Sequence, residues 1–179
     1  MARNTVSRSL HDLGLAAWFG GTLANAVALN AAAGEAGGKD AGAVANAGWN
    51  RWTPVNAVAI GAHLVGSVGQ LAGNRQRLAA QPGVKTMSSV KTVLTVAALG
   101  ATAYSRALGK VVDAAGAPHV KGGTKSSRRT PSDVAAAQGK LDLMQWVIPG
   151  LTGALVVVSS FAGEQQRPSE VLESLAGHR

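Results

Sequence analysis

The sequence predicts an all-α protein, a four-helix transmembrane bundle forming a single membrane domain over residues 1–179. Three observations carry that expectation. The charged residues are gathered between long uncharged blocks instead of being spread along the chain. Those blocks approach the roughly 20 residues that a helix needs to cross a bilayer at about 1.5 Å rise per residue. The composition suits closely packed membrane helices, with Gly at 23 of 179 residues and aromatics at only 4%. The modest mean hydropathy of +0.13 understates this, because Ala and Gly score low.

The first span is expected over about residues 12–34, behind Arg3 and Arg8. Basic residues, an apolar run and Ala31-Ala32-Ala33 also have the form of a cleavable secretory signal. The run is longer than a signal's core of about 7–15 residues. It also contains Trp18, Gly20, Gly21, Asn25 and Asn30, so a retained helix is the better reading. The second span covers 52–74, with Pro54 in its first turn, where a missing N–H costs nothing. The third is shorter: only 92–105 is uncharged, bracketed by Lys91, Arg106 and Lys110. Long basic side chains reach from helix ends to the headgroups, which extends this span to about 88–108. The fourth covers 142–163 and contains Pro149, expected to kink it.

Between the spans lie segments that read as connections. Residues 35–51 are Gly/Ala-rich, and 75–90 holds Arg75, Arg77, Pro82, Gly83 and Lys85. Residues 111–140 form a long basic loop, dense in Gly, Ser, Pro and Lys and expected to be flexible and solvated. Thr130-Pro131-Ser132-Asp133 reads as a helix start, with Ser132 as cap and Asp133 in the first turn. The fourth helix is thus expected to begin in water and enter the membrane near Leu143. Ser169 to Ala176 is expected to form a brief surface helix.

Lipid supplies little hydrophobic drive between helices, so small residues and polar side chains hold such bundles together. Ala16, Gly20, Ala24, Ala28 and Ala32 recur at four-residue spacing and predict that the first helix is a central element with a smooth packing face. The pairs Ala62/Gly66, Gly69/Gly73, Ala97/Ala101 and Gly150/Ala154 have the same spacing. Asn25, Asn30, Asn56, Ser67, Gln70, Thr95 and Thr102 should find partners inside the bundle, because an unpaired amide in hydrocarbon costs several kcal/mol. Trp52 and Trp146 sit where an aromatic belt would, whereas Trp18 lies deeper and should pack inside.

The formal charge is +8. The bases occupy the connections, where they meet anionic headgroups, and no nucleic-acid motif accompanies them. The partner implied is the lipid bilayer, not nucleic acid, and the location a multi-pass one in the cell membrane. The two short connections place the N-terminus inside by the positive-inside rule; the long loop argues the other way. The absence of Cys excludes disulfides, thiolate metal sites and a Cys nucleophile.

His63 and His11 are the candidate cofactor-binding residues, since an ionisable side chain within a membrane span marks a functional site by default. Two facing imidazoles are ligands for haem b or, less readily, for copper or zinc. If both spans fill the bilayer, His11 lies near a surface and His63 near the midplane. The offset would then be about 10–15 Å, which disfavours a shared haem. The plainer role for His63 is a hydrogen bond to a neighbouring helix, through Asn25 or Thr95. His11-Asp12 reads either as a proton-relay or quinone-site pair or as a helix start with a favourable acidic residue. Arg106 and Lys110 read as a basic edge for phospholipid, and His119 and His178 as incidental. No Ser-His-Asp set, carboxylate pair or metal spacing converges on one face, so nothing supports a hydrolase or transferase.

The stretch from His11 to Gly21, with a His followed by Trp18-Phe19-Gly20-Gly21, resembles the opening of copper-resistance D-like membrane proteins. The Met and His clusters of copper handling are missing, and no copper ligand is implied. Trp52-Thr53-Pro54-Val55-Asn56, Ala103-Tyr104-Ser105-Arg106 and Gly163-Glu164-Gln165-Gln166-Arg167-Pro168 resemble four-helix integral membrane proteins of high-GC actinobacteria. That family implies the four-helix layout and no particular activity. The expected function is therefore a structural or accessory component of a membrane complex, with protein partners or further copies of itself packed on small-residue faces. The alternatives are a haem- or quinone-linked redox or proton-handling subunit using His63 and His11, and a small transporter.

Overall fold

A computed structural model describes residues 4–75, 79, 82–116 and 119–164. Four long helical rods run alternately up and down. The first is α1 (Thr5–Ala24), a π-helical turn (Asn25–Leu29) and α2 (Asn30–Ala36) in unbroken succession. Gly37, at φ 68°, ends it and is the whole connection to α3 (Gly38–Gly73). A side chain there would strain the left-handed backbone. α4 (Pro82–Ala114) and α5 (Ser132–Glu164) follow. Between them an antiparallel hairpin pairs β1 (Val120–Gly122) with β2 (Lys125–Ser126).

The helices Thr5–Ala36, Asp40–Gly73 and Ser132–Phe161 are long and apolar enough to cross a membrane. Of the described helices, α4 alone among the four rods falls short of that measure, because its uncharged stretch is brief. All four rods exceed 30 residues and so run to about 50 Å, against roughly 30 Å of hydrocarbon. Helices of that length would project beyond a bilayer, and the hairpin, packed on α2, α3 and α5, caps one end.

Several expectations are corrected. Residues 38–51 are the first turns of α3, not a connection. The loop 111–140 shrinks, because α4 continues to Ala114 and the hairpin orders the middle. A helix does start here, but Ser132 is its first helical residue and not its cap, and the Pro131 carbonyl accepts from Ala135 N–H. Pro149 lies inside an uninterrupted α5. Ala31-Ala32-Ala33 is helical, and Ala33 is buried. The proposed surface helix 169–176, His178 and most of 75–81 lie outside the described residues.

The small-residue stripe of the first rod points away from the bundle: Ala16, Gly20, Ala24, Ala28 and Ala32 are all exposed. The buried face is instead His11, Gly14, Leu15, Trp18 and Thr22, continuing through Ala26, Asn30 and Ala33. It steps by three or four from His11 to Trp18, then by four to Asn30 through the π-helical turn, whose wider period keeps that spacing on one face. Close packing comes from the other side of the seam. Gly66, Gly69 and Gly73 of α3 receive the backbone of His11 and the side chains of Ser7 and Asn4. α1 is thus central, as expected, but by a different face.

The rods form two tight pairs, α1 with α3 and α4 with α5, joined where α1 meets α5; α3 and α4 scarcely approach at backbone distance. Trp18, Ala59 and Ala98 form the buried midpoint, with Ile60, Leu99 and Leu151 around it. A second cluster, Val112, Val134 and Ala137, joins α4 to α5 near the cap.

Candidate functional site

The two sequence-selected histidines meet. His11 lies about two turns from the start of α1, and His63 a few turns from the end of α3. Because these rods are antiparallel, both residues lie near the same end of the bundle. A reciprocal pair of glycines brings them together. A Cβ on Gly14 would strike the backbone of Ala59 and His63, and a Cβ on Gly66 would strike that of His11 and Ser7. Each histidine therefore sits opposite a glycine, and the helix axes close until the ring centroids are 4.5 Å apart, tilted by 46°. The expected depth offset is corrected on that ground. It assumed a first span beginning at residue 12, whereas the helix starts at Thr5 and carries His11 inward.

Both imidazoles are buried, at 1% and 0% exposure. His11 Nδ1 lies 2.8 Å from Asp12 Oδ1, and Asp12 in turn lies 3.7 Å from Arg8 Nε at the exposed edge. His63 Nδ1 lies 3.4 Å from the His11 carbonyl, and its Nε2 lies 3.4 Å from Thr95 Oγ1 on α4. The network assigns the tautomers: His11 donates from Nδ1 to the carboxylate, and His63 donates from Nδ1 to the carbonyl while Nε2 accepts from Thr95. His11 Nε2 and Trp18 Nε1 are then buried without a protein partner. The Trp18 ring centroid is 6.0 Å from that of His63. Lys91 of α4 is within electrostatic reach of Asp12 and both histidines. Thr95 is the partner found for His63, in place of Asn25.

A haem b does not fit between these rings. Two nitrogens each about 2 Å from a central metal hold imidazole centroids roughly 6 Å apart, with a porphyrin between them. The 4.5 Å separation is too short, and Gly14 and Gly66 let the helix backbones pack directly against each other at this level. Among the described residues no three His, Asp or Glu side chains gather as a metal site.

Sequence reasoning missed a second polar centre, beneath the cap. Asn30 donates to Gln145 Oε1 at 2.8 Å and accepts from Trp49 Nε1 at 3.0 Å. Gln145 and Thr124 both donate to Asp142 Oδ1 at 2.8 Å. Gln138 donates to the hairpin carbonyls of Gly122 and Gly123. The His119 carbonyl accepts from the Ser127 and Thr130 hydroxyls, which ties down the basic segment. The available signal was the three-residue spacing of Asp142 and Gln145 on one helix face; nothing in the sequence indicated that Asn30 would meet them.

Comparison with known proteins supplies no relative: no family model, no curated protein and no solved structure matches this chain.

Proposed function

We propose that the chain is a non-enzymatic, multi-pass component of the cell membrane whose His11–His63 pair takes up and releases protons. All four rods cross in this reading, α4 with Lys91 and Arg106 reaching to opposite headgroup layers, and the N-terminus faces the cytoplasm. One observation carries it: two fully buried imidazoles in ring contact, linked at one end to the half-exposed carboxylate of Asp12. A packing role needs one hydrogen-bonding side chain, and an amide would serve. Two ionisable rings at this depth are expensive unless they do something.

The groups facing the pair define its chemistry. Arg8 and Asp12 flank it on α1, Lys91 and Thr95 face it from α4, and Trp18 closes the inner side. Asp12 orients the His11 ring by accepting from Nδ1–H, so a proton is taken up at Nε2, the atom without a partner. His63 takes up a proton at its own Nε2, which the Thr95 hydroxyl then no longer serves as donor. Charge on both rings at once is opposed by their contact and by the neighbouring Lys91, so the pair holds one proton more readily than two.

The test is nitrogen-15 NMR of the histidine rings in bilayers, from about pH 4 to pH 9. The His11 and His63 signals should titrate together, and Asp12→Asn should displace the His11 transition. Signals unchanged across that range would make the pair a packing device and overturn the reading.

A second reading, the accessory component, is supported by the outward face of the first rod. Ala16, Gly20, Ala24, Ala28 and Ala32 offer a smooth surface on which another helix can pack. The chain has no native Cys, so Cys placed at Gly20 or Ala24 would report such packing by disulfide formation with a second copy in native membranes. Absence of cross-linking at both positions would remove the homo-oligomeric form.

A further inference from the structure

The seam between α3 and α4 differs from the others. The backbones stay apart, and long or polar side chains reach across. His63 faces Thr95, Ala59 packs with Ala98, and Arg106 donates to Asn50 at 3.3 Å. These three contacts set one antiparallel register. Seven residues return a helix to nearly the same face. On α3 that repeat links Asn56, His63 and Gln70; on α4 it links Ser88, Thr95 and Thr102. The register therefore places Thr102 opposite Asn56 and Ser88 opposite Gln70. Polar residues occupy every heptad level, and beyond Asn56 the trail continues to Ser105 and to Asn50, which also bonds Asp113. From Asn50 to Gln70 is about 30 Å of helix at 1.5 Å per residue, close to the thickness of the hydrocarbon core.

The polar atoms along this line are short of partners. Asn56 Oδ1, Gln70 Nε2, Thr102 Oγ1 and Ser105 Oγ are all buried and make no hydrogen bond within the protein, and Asn56 is only 9% exposed. In hydrocarbon such atoms cost several kcal/mol each, and buried water commonly satisfies groups of this kind. The Ala59–Ala98 layer, built of the smallest apolar side chains, is the one dry step between the His63 and Asn56 levels.

We infer that the α3–α4 seam is a hydrated path that conducts protons across the membrane between the Asp12–His11–His63 relay and the Asn50–Arg106–Asp113 surface. This rests on the proton-handling reading of the histidine pair. Protons pass along hydrogen-bonded water; at the Thr95 and Thr102 hydroxyls one O–H bond forms as another breaks, so each group returns to its starting state, Asn56 holds water by hydrogen bonds, and the driving force is the proton gradient itself.

The experiment reconstitutes the full chain in liposomes containing a trapped pH dye, with a potassium diffusion potential imposed. Proton entry should exceed that of empty liposomes and fall about tenfold in Thr102→Val and Asn56→Leu. Thr102→Val preserves shape, so an unchanged melting temperature shows that the fold survives. Entry equal to empty liposomes, or entry unaltered in both variants, overturns the path. Water-edited solid-state NMR supplies a readout independent of flux: the Asn56 and Gln70 amides should exchange magnetisation with water, and dry amides overturn the hydrated seam. Histidine titration that persists while flux and hydration are absent removes the path and leaves the pair; loss of all three removes both.

Discussion

The seam around His63 and the polar centre under the hairpin use similar side chains to opposite ends. Beneath the cap, Asn30 both donates and accepts, and Asp142 is reached by two donors. Most groups there are satisfied by protein, with Gln138 Oε1 an exception, so the network fixes how α2, α3, α5 and the hairpin meet. Along α3 and α4 the polar atoms lie at helical intervals and several have no protein partner. A satisfied network rigidifies; one left open to water or to protons can change state. The first region holds the bundle together, and the second is where its chemistry is expected.

That contrast can be broken most severely where the backbones touch. Gly66→Leu should cause the largest loss of stability, about 3 kcal/mol or more, because the side chain has nowhere to go against the His11 and Ser7 backbone. Thermal unfolding in detergent would measure it, and a loss below about 1 kcal/mol would mean that the helices are not held so close. Asn30→Leu comes next. It strands Trp49 Nε1 and leaves Gln145 Oε1 without its donor, for an expected cost of about 1–3 kcal/mol. Protection of the hairpin amides from hydrogen exchange should fall with it.

His63→Gln sharpens the comparison from the other side. An amide can still reach Thr95, and membrane hydrogen bonds average about 0.6 kcal/mol, so stability should change by about 1 kcal/mol or less. The loss should appear instead in proton uptake and in the His11 titration. A reduced-minus-oxidised spectrum of the protein from a haem-replete host should be featureless. A Soret band lost in His63→Ala would show that the rings separate in the membrane far enough to admit a porphyrin. The smallest effect is expected at Gly20→Leu, within about 0.5 kcal/mol, since no atom lies within 4 Å of a Cβ added there. A larger effect in native membranes than in detergent would reveal a partner on that face.

By itself the sequence determined the helical class and pointed to three helices long and apolar enough to cross a membrane. Those follow from where charge is absent, and the cost of burying charge in lipid is local and large. It also singled out His11 and His63, because ionisable residues stand out against an uncharged run. Only the tertiary structure decided that the two rings touch. Their meeting depends on where α1 starts, on the antiparallel register and on Gly14 and Gly66 lying opposite them, none of which is a property of either segment alone. The stripe of the first rod was misread for a related reason: four-residue spacing announces a smooth face but not which way it turns. The segment 111–140 read as flexible because its hairpin is held by Gln138 and Asp142 of α5, which face it only once the chain has folded back. A hydrogen bond between distant parts of a chain leaves no mark in the composition of either.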